Sequence, residues 1–126
     1  MALRIEDEKP FQDWLQVAVS SLRELSASPR DKDESEISQK SIEQATKFLS
    51  ELAKVVRTDK LQAPYVGAGY NGQVVVGWVN QSNRIDLEFY EDNDPAVAAF
   101  YDGGSHELAP EVIKVAEIVR KICKVA

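Results

Sequence analysis

Four groups of residues in this chain have types and spacings that chemistry uses. Gly67-Ala-Gly-Tyr-Asn-Gly72-Gln-Val74 matches the G-x-G-x-x-G-x-V string whose backbone amides cradle phosphates in dinucleotide-binding folds and in kinases. The dinucleotide fold needs a helix to begin at the last glycine, and here the valines from Val74 to Val76 begin a strand. The kinase version needs a lysine on the next strand and separate catalytic and metal-binding aspartates, which this sequence does not supply. The string therefore reads as glycines serving a tight turn. Glu91, Asp92, Asn93 and Asp94 offer closely spaced oxygens of the kind calcium takes, but a helix-loop-helix calcium site needs a glycine sixth and a glutamate twelfth, and Pro95 interrupts the run. It reads as a solvated turn. Asp102, Ser105 and His106 collect a carboxylate, a hydroxyl and the only imidazole. Neighbours in sequence seldom reach triad geometry, so a small hydrolase built on them has the least support. Cys123, the only cysteine, has His106 as its one soft companion, which leaves no zinc site and no internal disulfide, and places the thiol in the core. No catalytic residue, metal or cofactor is assigned.

What remains is charge. Residues 63–109 hold seven acids (Asp86, Glu88, Glu91, Asp92, Asp94, Asp102 and Glu107) against one base, Arg84, and so carry the whole formal net charge of −6. A domain with an isoelectric point near 4.8 is repelled by nucleic-acid phosphates and anionic lipid, so direct nucleic-acid or membrane binding is not expected. No apolar run approaches the roughly 18 residues of a membrane span. The acidic start of the chain lacks the basic end and apolar run of a signal peptide, and with a single cysteine this predicts a cytoplasmic setting.

The elements that position these residues follow from periodicity. At 126 residues the chain is one domain, 1–126, able to bury about two-thirds of its unfolded surface. Pro10, Phe11, Trp14, Leu15, Ala18, Leu22 and Leu25 recur at three and four residues and predict a helix over about 10–25. Asp33 with Glu36 fits a capping box, and Ile37, Ala45, Phe48, Leu49, Leu52 and Val56 carry a second helix over about 34–57. The period then changes to two. Asn71-Gly72 predicts a two-residue hairpin turn between strands at about 64–70 and 73–79. Further strands follow at about 84–90 and 96–101. Pro110 opens a last helix over about 110–124 with Val112, Val115, Ala116, Val119 and Ile122 inward. The predicted fold is α+β: two helices, a four-stranded antiparallel meander and a C-terminal helix, ααββββα.

Placing Val79 opposite Arg84 puts Trp78–Ile85, Val76–Leu87 and Val74–Phe89 on one face, and Gly77–Asp86 and Val75–Glu88 on the other. Carried through the Asn-Gly turn, the second face gains Val66, Ala68 and Tyr70. Val66, Tyr70, Val75 and Val79, flanked by Asp86, Glu88 and Tyr90, then form an apolar strip among carboxylates, which a solvated sheet face does not need. Either the C-terminal helix covers that strip or a partner does.

Pro64-x-Val66, Gly72-x-Val74-x-Val76-x-Trp78 and Asp86-Leu87-Glu88-Phe89 resemble a group of small bacterial proteins of uncharacterised function. In those, a helical N-terminal half precedes a Gly-Gly-Val-x-Leu-x-Trp strand and a Leu-Glu-Ile-Glu strand. The resemblance covers about a quarter of the chain, implies the hairpin, and carries no catalytic residues. Here Asn71-Gly72 stands where that group has two glycines, and Gly77 replaces an acid. The residues themselves predict a non-catalytic interaction module of bacterial or phage type, antitoxin-, immunity- or inhibitor-like. Its expected partner is a basic protein, or a second copy of the chain as a homodimer, bound at Val66, Tyr70, Val75, Val79, Asp86, Glu88 and Tyr90. An acidic mimic of nucleic acid is the alternative, though it needs carboxylates at phosphate-like spacing rather than an apolar strip.

Overall fold

The computed structural model describes residues 13–27, 30, 32, 34–57 and 60–125. Helix α1 (Asp13–Ala27) buries Trp14, Ala18 and Leu22 along one stripe. Pro10 and Phe11, the expected start of that helix, lie outside the described residues. Helix α2 (Gln39–Val56) begins five residues later than its capping-box signal suggests. The oxygen of Ser38 caps it by accepting from the Ser41 amide at 3.2 Å, and Asp33 lies outside the described residues. The delay has a cause: the Ser35 and Ser38 amides donate to the carbonyls of Tyr70 and Gly72, at 3.1 and 3.3 Å, which ties the segment before the helix to the first hairpin.

The sheet is an antiparallel meander in chain order, β1 (Tyr65–Ala68), β2 (Val74–Asn80), β3 (Asn83–Phe89), β4 (Ala96–Tyr101) and β5 (Gly104–Leu108). The α+β class is as predicted, with five strands in place of four. The fifth comes from Asp102 and Gly103, whose φ of 53° and 77° make the two-residue turn with both central residues left-handed that closes the Tyr101–Gly104 pair. Between β2 and β3 the register is the predicted one, from Val74 opposite Phe89 to Val79 opposite Arg84.

The first hairpin corrects the prediction. Tyr65 lies opposite Gly77 and Val66 opposite Val76, one residue off the expected pairing, which turns every side chain of β1 to the other face. The loop has three residues. The Gly69 amide donates to Gln73 at 2.8 Å, the Gly72 amide to Gly69 at 3.1 Å, and only Gly72, at φ 84°, is left-handed. The slip moves Val66 and Ala68 to the side of Val74 and Val76, and moves Tyr65 and Gly67 off it. Apolar side chains thereby join the dry face in place of glycines.

Helix α3 (Val112–Cys123) buries Val115, Ala116, Val119 and Ile122 in the same cluster as Trp78, Ile85 and Leu87. The three helices among the described residues therefore all lie on one face of the sheet, packed mainly on β1, β2 and β3. Trp14 meets Trp78 edge-on at 5.7 Å, and Phe48 meets Phe89 likewise at 5.8 Å. The C-terminal helix does not cover the second face. No helix among the described residues is long and apolar enough to cross a membrane.

Candidate partner-binding face

The second face is built in rows that run across the strands. One row is Tyr65, Gly77, Asp86, Ala98 and Glu107; beside it run Val79, Arg84, Phe100 and Ser105 on one side and Gly67, Val75, Glu88 and Ala96 on the other. Among the described residues no helix packs on these rows, and Tyr65, Val79 and Phe100 remain 37–39% exposed. The mixture is ordered. Small residues form the floor, aromatic and valine side chains stand over it, and three carboxylates face a single guanidinium.

Gly77 makes room for the polar centre of the face. A Cβ there would lie 2.5 Å from the Tyr65 hydroxyl and 2.6 Å from Asp86 Oδ1. Into that space Arg84 donates to Tyr65 at 2.9 Å and to Asp86 Oδ2 at 3.0 Å. Partial burial, with the Glu88 charge next in weight, still raises the Asp86 carboxyl above its usual range. The single arginine does not compensate the acids around it. Tyr90 donates to Glu88 at 2.9 Å, and burial together with that carboxylate raises the phenol. A depression of about 250 Å³ lies over Ala98, lined by Arg84, Asp86, Phe100, Ser105 and Glu107 among others.

Of the residues expected to meet a partner, Val75, Val79, Asp86 and Glu88 share this face, and Tyr90 joins it through Glu88. Val66 does not; it lies on the helix side, half-buried against the core. Tyr70 sits on the hairpin loop, 61% exposed, rather than in the strip. Tyr65, Ala98, Phe100 and Glu107 are the members the sequence reading missed. The Asp-Gly dipeptide at 102 was the signal for β5 and Glu107, and Tyr65 was lost with the register of the first hairpin.

The remaining motifs are dispersed. Ser105 and His106 are adjacent in β5 and so point to opposite faces; His106 stacks on Tyr101 at 4.2 Å, while the Asp102 carboxylate pairs with Lys121 at 2.7 Å. Ser105 thus lies on the open face, while His106 and Asp102 are each engaged with another side chain. Glu91 to Asp94 form an exposed turn between β3 and β4, and no group of three or more ligating side chains among the described residues is placed to hold a metal. Cys123 is half-buried beside the core. No protein-family model matches the chain, and neither the curated proteins nor the solved structures searched give a match.

Proposed function

We propose that this chain is a non-catalytic interaction module, antitoxin-, immunity- or inhibitor-like, that acts in the cytoplasm and binds a basic protein through the open face of its sheet. The observation that carries the reading is the placement of all three described helices on the opposite face. It leaves Tyr65, Val75, Val79 and Phe100 beside Asp86, Glu88 and Glu107 with no described element over them. Apolar groups in such a patch supply the area that association buries, and the carboxylates steer and select a partner of opposite charge. A basic partner would also relieve the repulsion that raises the Asp86 carboxyl.

The test is photo-crosslinking in host cells with p-benzoylphenylalanine at position 100, on the open face, or at position 113, where Ile113 is exposed on the helix side. Adducts with one basic protein are expected from position 100 and not from 113, and Asp86→Lys with Glu88→Lys should abolish them. Adducts from 113 alone, no adduct from either, or adducts indifferent to the double reversal would overturn the reading.

A further inference from the structure

The β4–β5 hairpin ends the sheet, and its last strand is an edge. Among the described residues β5 pairs with β4 alone. The turn closes on Tyr101 and Gly104, so the hydrogen-bonded pairs are Tyr101 with Gly104, Ala99 with His106 and Val97 with Leu108. The backbone N–H and C=O groups of Ser105 and Glu107 consequently point away from the sheet. Exposed edges of this kind are usually blunted by lysine, proline or a bulge. Gly104-Ser-His-Glu-Leu108 has none of these inside it and carries one charge, Glu107.

The side chains of Ser105 and Glu107 stand on the open face, at the margin of the depression over Ala98. A strand added beyond β5 would place its alternate side chains next to Glu107, and long side chains reach diagonal neighbours in a sheet. Such a side chain would lie over the depression with Asp86 on its far wall and Phe100 beneath its stem. Asp86, Glu88 and Glu107 against Arg84 decide its charge. A second copy of this chain would bring the same carboxylates to the same place.

We propose that the outer edge of β5 takes up an extended, arginine- or lysine-bearing segment of a partner protein as a sixth antiparallel strand. This rests on the reading of the open face as a binding surface and adds where and in what conformation the partner engages it. Main-chain bonds to Ser105 and Glu107 would hold the segment, and the acidic row would select it.

The experiment uses the full chain labelled for nuclear magnetic resonance and two blocked eight-residue peptides, one alternating arginine with valine and one alternating glutamate with valine. With the arginine peptide, the Ser105 and Glu107 amides are expected to exchange with solvent at least tenfold more slowly. The His106 amide, already bonded to β4, should change little, and the glutamate peptide should have no effect. Ser105→Pro, which removes an outward donor and keeps every charge, should weaken the arginine peptide at least tenfold. Shift changes at Asp86 and Glu88 without protection at 105 and 107 would overturn the strand addition and leave the open-face reading standing. Equal protection by both peptides would overturn the basic occupant. Protection that grows with protein concentration alone would make the occupant a second copy, and binding of neither peptide would also overturn the proposal.

Discussion

Trp78 is the side chain on which the two layers close. It is fully buried, its indole N–H donates to the Gln62 carbonyl at 2.9 Å, and its ring meets Trp14 edge-on. Trp78→Ala should therefore lower unfolding free energy by about 3–5 kcal/mol, measured by denaturant titration. Trp14 is as deeply placed, but its indole nitrogen has no hydrogen-bond partner among the described residues. Replacing each by phenylalanine separates the two roles: Trp78→Phe should cost about 1 kcal/mol more than Trp14→Phe, and equal losses would show that the Gln62 bond contributes nothing. Cys123 offers a test by pH. Burial pushes its thiol from 9.0 up to about 11. Between those values the unfolded chain releases the proton while the folded chain keeps it, so this group lowers stability as pH rises from 9 to 11 and contributes nothing to pH dependence near 7. Over that interval the wild type should lose stability faster than Cys123→Ala; parallel stability curves would refute the assignment.

Among the elements, the first hairpin is the most demanding, because its loop is hydrogen-bonded to the segment before α2. Gly72 lies at φ 84°, and a Cβ on it would run into the Glu36 carbonyl oxygen. Gly72→Ala should thus destabilise by about 1–2 kcal/mol, while Gly67→Ala, whose Cβ meets nothing within 4 Å, should change little in the same thermal melts. This hairpin also marks where local reading stops. The helices, the strands from Val74 to Tyr101 and the β2–β3 register are written in periodicity, since wherever one face is dry the alternation of apolar residues leaves one pairing. Asn-Gly, by contrast, suits a two-residue turn and a three-residue loop alike. The choice here is bound up with distant partners: the Arg30 side chain on the Gly69 carbonyl at 2.9 Å, and the Ser35 and Ser38 amides on Tyr70 and Gly72. Misplacing that turn put Val66 on the wrong face. The strand β5 was overlooked because Ser105-His-Glu107 has little strand propensity and only the Asp-Gly turn before it announces the pairing. The open face was accordingly legible at β2 and β3, and not at either edge.

At the scale of the molecule, residues 63–109 carry −6 while the rest of the chain sums to zero, and three of those acids, Asp86, Glu88 and Glu107, face one base, Arg84, on the open side of the sheet. Such a distribution has opposite consequences for folding and for binding. Within the chain, Asp86 and Glu88 repel, and the carboxyl of Asp86 is raised by burial and by that neighbour even with Arg84 at 3.0 Å. A raised carboxylate pKa means that the folded state binds the proton more tightly than the unfolded one. The resulting stabilisation is present at low pH and is lost as pH rises through the carboxylate range. Neutralising the pair should then be tolerated or mildly favourable at pH 7. Screening should act the same way: raising salt from about 0.02 to about 0.5 M contracts the Debye length to a few ångströms and should lift the wild-type melting temperature by about 2 °C. Asp86→Asn with Glu88→Gln should melt at or above the wild type at low salt and respond less to added salt. Association with a basic partner must run the other way, weakening as salt rises, because the attraction being screened is then between molecules. Calorimetric melts of both proteins across that salt range check the folding side. An identical salt response in the double variant would show that the two acids do not repel in the folded state, and would remove the electrostatic reason for a basic partner at this face.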